Sequence, residues 1–150
     1  MKKFFAVFIG ILCLFMTACS NEFAEREYDV DEKISQGDRY AKEMSVFNTI
    51  DGGYSLTVAK FDGRETLWTK TLEKDQDLEV NIDFSLSNGR AKVVYVDDKG
   101  NVTTVVECTP DNLTNGYITK NISLKAGQNE LKIVGYDCED VDLKMLFEEP

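Results

Sequence analysis

Apolar and polar residues alternate strictly from Leu78 to Leu86, with Leu78, Val80, Ile82, Phe84 and Leu86 set against Glu79, Asn81, Asp83 and Ser85. A period of two sends the two sets to opposite faces of a strand. Ser87-Asn88-Gly89 then supplies residues that tolerate positive φ, and a second strand follows from Ala91 to Val96. Asp97 to Asn101 turns the chain again and Val102 to Val106 returns. The pattern predicts an antiparallel meander over Asp77–Glu107 with one wet face.

The same rhythm runs through the flanking chain. Upstream, the strand-like stretches Val46–Ile50, Tyr54–Phe61 and Thr66–Leu72 are separated by Asp51-Gly52-Gly53 and Asp62-Gly63-Arg64. Downstream, the irregular stretch Thr109–Gly116 leads into Tyr117–Leu124, then Leu131–Tyr136, then a final alternation of Val141, Leu143, Met145 and Phe147. These make about nine short strands spaced by about eight to twelve residues, with no helix of useful length. The expected fold is all-β, an antiparallel β-sandwich of about eight to nine short strands over residues 45–150.

The start of the chain has another character. Lys2 and Lys3 precede an apolar run from Phe4 to Met16, too short for a comfortable membrane span and suited to a signal-peptide core. Met16-Thr17-Ala18-Cys19 follows, and it resembles the lipobox of bacterial lipoproteins. That resemblance implies cleavage after residue 18, acylation of Cys19, and a protein held at the extracytoplasmic face of a bacterial cell membrane. Several acyl chains on Cys19 would anchor it stably. The alternative is ordinary secretion with cleavage near Ala18. Residues 19–44 are polar and dense in charge, with isolated apolar residues of no sustained period, and read as a tether.

Composition narrows the function classes. The formal charge is −10, which argues against nucleic acid and against anionic lipid head groups. The chain has no His, which removes the commonest general base and metal ligand. There is no nucleophile elbow, phosphate loop or metal-ligand spacing, so neither an enzyme nor a cofactor is expected. Cys108 and Cys138 both leave upward-running strands, at one end of the expected sandwich. A disulfide between them is the expectation outside the cell, and two buried free thiols are the alternative.

Asp137, Glu139, Asp140 and Asp142 cluster near the C-terminus. They read as solvated tip residues, with a structural calcium as the functional option. Tyr54, Phe61, Trp68, Tyr95, Tyr117 and Tyr136 are candidate stacking residues for a sugar ring, and core packing is the competing role for each.

The stretch from Ile122 to Phe147 resembles the closing strands of galactose-binding-like jelly rolls, including carbohydrate-binding modules. Leu124, Gly127, Asn129 and Leu131 match the turn and strand of that pattern, and Asp142 sits where its last-strand acid can fall. The resemblance implies a non-catalytic module that binds a glycan or protein. The expected site is the loop end formed by Thr109–Gly116 and Asp137–Asp140, with Trp68, Tyr117, Tyr136, Asp137 and Asp140 as candidate contacts. A structural subunit of a cell-envelope assembly is the alternative.

Overall fold

The computed structural model describes residues 24–148, so the expected signal peptide and Cys19 lie outside the described residues. Seven strands follow a helical turn at 24–27 and a short helix, α1 (Asp31–Ile34). They are β1 (Arg39–Ile50), β2 (Gly53–Leu72), β3 (Gln76–Ser85), β4 (Asn88–Val96), β5 (Val102–Cys108), β6 (Ile118–Leu124) and β7 (Gly127–Glu148). Every pairing between them is antiparallel.

Two long strands organise the sandwich. β2 and β7 run side by side from Gly53↔Leu146 to Leu72↔Gly127, with a register shift between Phe61 and Gly63. The later half of β7 pairs with β3, and its earlier half pairs with β4. One layer therefore has the order β1-β2-β7-β3-β6, and the other is built from β2, β7, β4 and β5. Leu78, Val80, Ile82 and Phe84 of β3 meet Ala91, Val93 and Tyr95 of β4 in the core between them.

The architecture is the expected antiparallel β-sandwich, with seven strands in place of nine. Asp62-Gly63-Arg64 is an irregularity inside β2, and Asp137–Asp140 a corner inside β7, where Asp137 and Asp140 both have positive φ. A β-bulge uses the same residues as a turn, and only the partner strand distinguishes them.

The meander is also corrected: β4 pairs with β5, but β3 and β4 pair on opposite halves of β7 and lie in different layers. Ser87-Asn88-Gly89 is the crossing between layers. A side chain at Gly89 (φ 79°) would meet the carbonyl oxygen of Asp137 at 2.2 Å, so only glycine allows this approach.

The expected tether is corrected in turn. The chain is already folded against the sandwich at Ala24, well before Ser45, and Ala24, Tyr28 and Ile34 are buried. Tyr28 and Ile34 cover Val94, Val96 and Val134 on the outer face of the second layer. This explains why Ala91–Val96 is buried without a break: the core takes one set of side chains and the N-terminal segment takes the other.

The acids of the segment meet cations on that face. Glu27 pairs with Arg64, Asp29 with Lys92, and Asp38 with Lys132, whose ammonium also reaches the carbonyl of Gln36 at 2.9 Å. All three cations are less than 8% exposed, and such groups are kept charged only where partners surround them.

Cys108 and Cys138 are free thiols, so the expected disulfide is absent. β4 lies between their strands: Cys108 is opposite Ala91, and Ala91 is opposite Gly135, three residues short of Cys138. The sulfurs are committed elsewhere, Cys108 Sγ donating to the Phe84 carbonyl at 3.4 Å and Cys138 Sγ to the Arg90 carbonyl at 3.1 Å.

Candidate binding face

The hairpin β1–β2 sets the register of the candidate site. Phe47 stands opposite Leu56, and Tyr54 stands between Thr49 on β1 and Met145 on β7. Phe147 is opposite Val80, and Trp68, on the second limb of β2, is opposite Leu131. Directly paired residues share a face, and Leu56, Met145, Val80 and Leu131 are all core. All four aromatic rings therefore point to the inner side of their layers, at its margin.

The margin is open because β1 is an edge strand with no buried residue along its length. Phe47 is 45% exposed, while Tyr54, Phe147 and Trp68 are half-buried. The rings form a continuous row. Phe47 and Tyr54 stack at 5.4 Å, Tyr54 meets Phe147 edge-on at 5.8 Å, and Phe147 stacks on Trp68 at 5.6 Å. Rings held against each other this way lose little further freedom when a ligand lies across them.

A polar group lies further along β1. Lys42 is opposite the core residue Phe61, and its ammonium reaches Glu65 Oε1 at 2.6 Å. Glu65 Oε2 is buried and has no hydrogen-bond partner. Lys42 Nζ also sits 4.6 Å from the ring centroid of Tyr40, which is itself 45% exposed. The inner margin of β1 thus carries a ring, an ion pair, and then the row.

The sequence candidates are dispersed. Tyr54 and Trp68 belong to the row, while Phe61 and Tyr95 are buried in the core. Tyr117 is 50% exposed at the end of the 109–116 loop. Tyr136 packs with Val134 and Tyr28 on the outer face, where the nearby Glu25 carboxylate raises its phenol pKa. Trp68 pairs with Leu131, six residues before Asp137, so the two stand about 20 Å apart along β7.

Asp137 and Asp140 fasten the layer crossing. The Asp137 amide donates to Asp62 Oδ1 at 2.6 Å, and Asn88 Nδ2 donates to the Asp137 carbonyl at 3.2 Å. Ser87 Oγ donates to Asp140 Oδ2 at 2.8 Å. Burial pushes the Asp62 carboxyl above its usual range, the Asp137 amide opposes this, and the Asp137 charge adds to it. These groups hold the corner together. Among the described residues, no three Cys, Asp or Glu side chains are placed to hold a metal ion.

Sequence reasoning found Tyr54 and Trp68 but neither Phe47 nor Phe147. The Asp51-Gly52 turn was the available signal, since a hairpin closed there pairs Thr49 with Tyr54 and places Phe47 diagonally beside it. Phe147 and Glu65 carried no local signal, because pairings from distant chain bring them in.

The class defined here is a small antiparallel β-sandwich with an aromatic margin. No family model matches the chain, and no curated protein matches it. Among solved structures it is similar to a carbohydrate-binding module of Cellvibrio mixtus lichenase 5A in complex with cellotriose. The identity is 11%, the match covers 79% of this chain and 95% of that one, and the TM-score is 0.45. It is also similar to TmCBM61 in complex with β-1,4-galactotriose, at 12% identity, 83% and 97% coverage and a TM-score of 0.47. A third is the N-terminal cellulose-binding domain of Cellulomonas fimi β-1,4-glucanase C, at 12% identity, 76% and 89% coverage and a TM-score of 0.41.

Proposed function

We propose that this protein is a non-catalytic glycan-binding module, anchored through Cys19 at the extracytoplasmic face of a bacterial membrane. The observation that carries the binding role is the row Phe47–Tyr54–Phe147–Trp68 on an open sheet margin. Aromatic faces pack against the C–H faces of pyranose rings, and a row of them suits an extended saccharide better than a compact metabolite. The Lys42–Glu65 pair beside it supplies a charged donor for hydroxyls. Binding sites of this kind combine an apolar surface with a few fixed polar groups.

A glycan array, followed by affinity electrophoresis on the best polysaccharide, tests the proposal. Phe47→Ala should weaken binding about tenfold with its melting temperature kept, and Phe47→Ala with Trp68→Ala should abolish retardation. Unchanged retardation of a folded double variant would sink it.

One observation favours the structural-subunit reading. The outer side of β1 exposes Val46 (52%) and the bulged Met44 (82%) next to an unpaired strand edge. If Val46→Lys abolishes membrane-complex co-purification while glycan binding is absent throughout, that reading replaces the first.

A further inference from the structure

The opposite margin of the sandwich carries a second, chemically different feature. Among the described residues β5 pairs only with β4, and β6 only with β3, so the two layers end there in strands that do not bond to each other. The seam opens as a cavity of about 450 Å³ that continues into one of about 420 Å³, with Thr104, Val105 and Lys120 lining both. Val105 and Ile122 form apolar lining, and Thr103, opposite the core residue Tyr95, turns its hydroxyl toward the same groove, while Asn121 and Ser123 alternate with Lys120 and border it from the outer face.

Lys120 is the unusual residue. On β6 the core-facing set is Ile122 and Leu124, and Lys120 shares their parity and stands opposite Val80, which is fully buried. It therefore points inward from an edge strand and is partly buried. Among the described residues its ammonium has no hydrogen bond and no ion pair.

The other charges of the groove are committed. Lys125 holds Asp75 at 3.0 Å, and Asp97 accepts from the amides of Lys99 and Asn101, both at 2.9 Å. Glu107 accepts the Tyr28 hydroxyl. One uncommitted cation thus stands at the junction of the two cavities, in a protein of net charge −10.

We infer that the β5–β6 seam is a binding groove for an acidic saccharide, a polyhydroxylated chain bearing a carboxylate or sulfate that pairs with Lys120. The Thr103 hydroxyl on the wall suits a sugar hydroxyl, Val105 and Ile122 suit the C–H face of a ring, and the Lys120 ammonium, which no protein group neutralises, is left for the anionic group. The site is separate from the aromatic row and differs from it in the charge of its ligand. An inward-pointing edge lysine also guards a sheet against edge-to-edge pairing, which is the role that a test must separate.

Affinity electrophoresis of the mature protein in gels containing polygalacturonate, dextran sulfate or neutral dextran makes that separation. The protein should be retarded by at least one anionic polymer and not by dextran. Polygalacturonate alone identifies a carboxylate ligand, and dextran sulfate alone a sulfate. Lys120→Gln should weaken that retardation about tenfold, while Phe47→Ala and the surface variant Lys60→Gln leave it unchanged. Loss of neutral-glycan binding in Phe47→Ala with acidic binding retained would show the two sites to be separate. The groove reading is overturned if neither anionic polymer retards the protein, or if Lys60→Gln weakens binding as much as Lys120→Gln. It is overturned equally if Lys120→Gln binds normally and instead self-associates in size-exclusion chromatography.

Discussion

The hydroxyl of Tyr28 donates to Glu107 Oε1 at 2.9 Å, across 79 residues of chain. Its ring lies beneath two cations, with Arg90 at 4.1 Å and Lys92 at 4.5 Å from the centroid, and it is fully buried. Burial and the Glu107 carboxylate both raise its phenol pKa. The N-terminal segment is thereby part of the domain.

Tyr28→Ala should lower unfolding free energy by about 3–5 kcal/mol, the range for deleting a large buried aromatic side chain. Tyr28→Phe keeps the ring and should cost only about 1 kcal/mol. Urea unfolding measures both. An unchanged midpoint for Tyr28→Ala would mean that the segment is not held against β4 and β7 in solution.

The thiols give a pH signature. Burial pushes Cys108 up to about 11 and Cys138 up to about 12 from an ordinary 9.0, with the Tyr136 and Arg90 carbonyls as partners of the Cys138 sulfur. Both are therefore neutral in the folded protein at pH 8. In the unfolded chain they ionise first, so their contribution to stability is complete below pH 9 and is lost as pH rises towards about 12. The expected result is a fall in melting temperature over that window that is shallower in the Cys108→Ala/Cys138→Ala variant. Iodoacetamide at pH 8 should label both residues only after denaturation. Non-reducing peptide mapping that recovered a Cys108–Cys138 peptide would refute this assignment.

The anchor has its own test. Acylated Cys19 should carry the protein into the detergent phase of a Triton X-114 separation, and Cys19→Ala should release it or stall its processing. Residues 20–23 alone separate Cys19 from the buried Ala24, so an acylated Cys19 would hold the domain within about 20 Å of the lipid. A Cys19→Ala protein that is processed normally and still bound to membranes would exclude the anchor.

Local pattern was enough wherever one face of a strand meets the core and the other meets water. Leu78 to Phe84 and Val141 to Met145 are buried at every second residue as their alternation requires, and the all-β class follows from that rhythm. Pairing between distant segments decided the rest. Asp62-Gly63 and Asp137–Asp140 have the chemistry of turns, yet a facing strand makes each a corner within one continuous strand. Glu27, Asp29 and Asp38 read as solvated acids, because the cations that bind them, Arg64, Lys92 and Lys132, lie far along the chain. The binding face shows the same division. Trp68 was legible as an aromatic on a strand, but its place beside Phe147 depends on two strands that meet only when the sheet folds over. Sequence sets which way a side chain points from its own strand, and the sheet's long-range register sets what it points at.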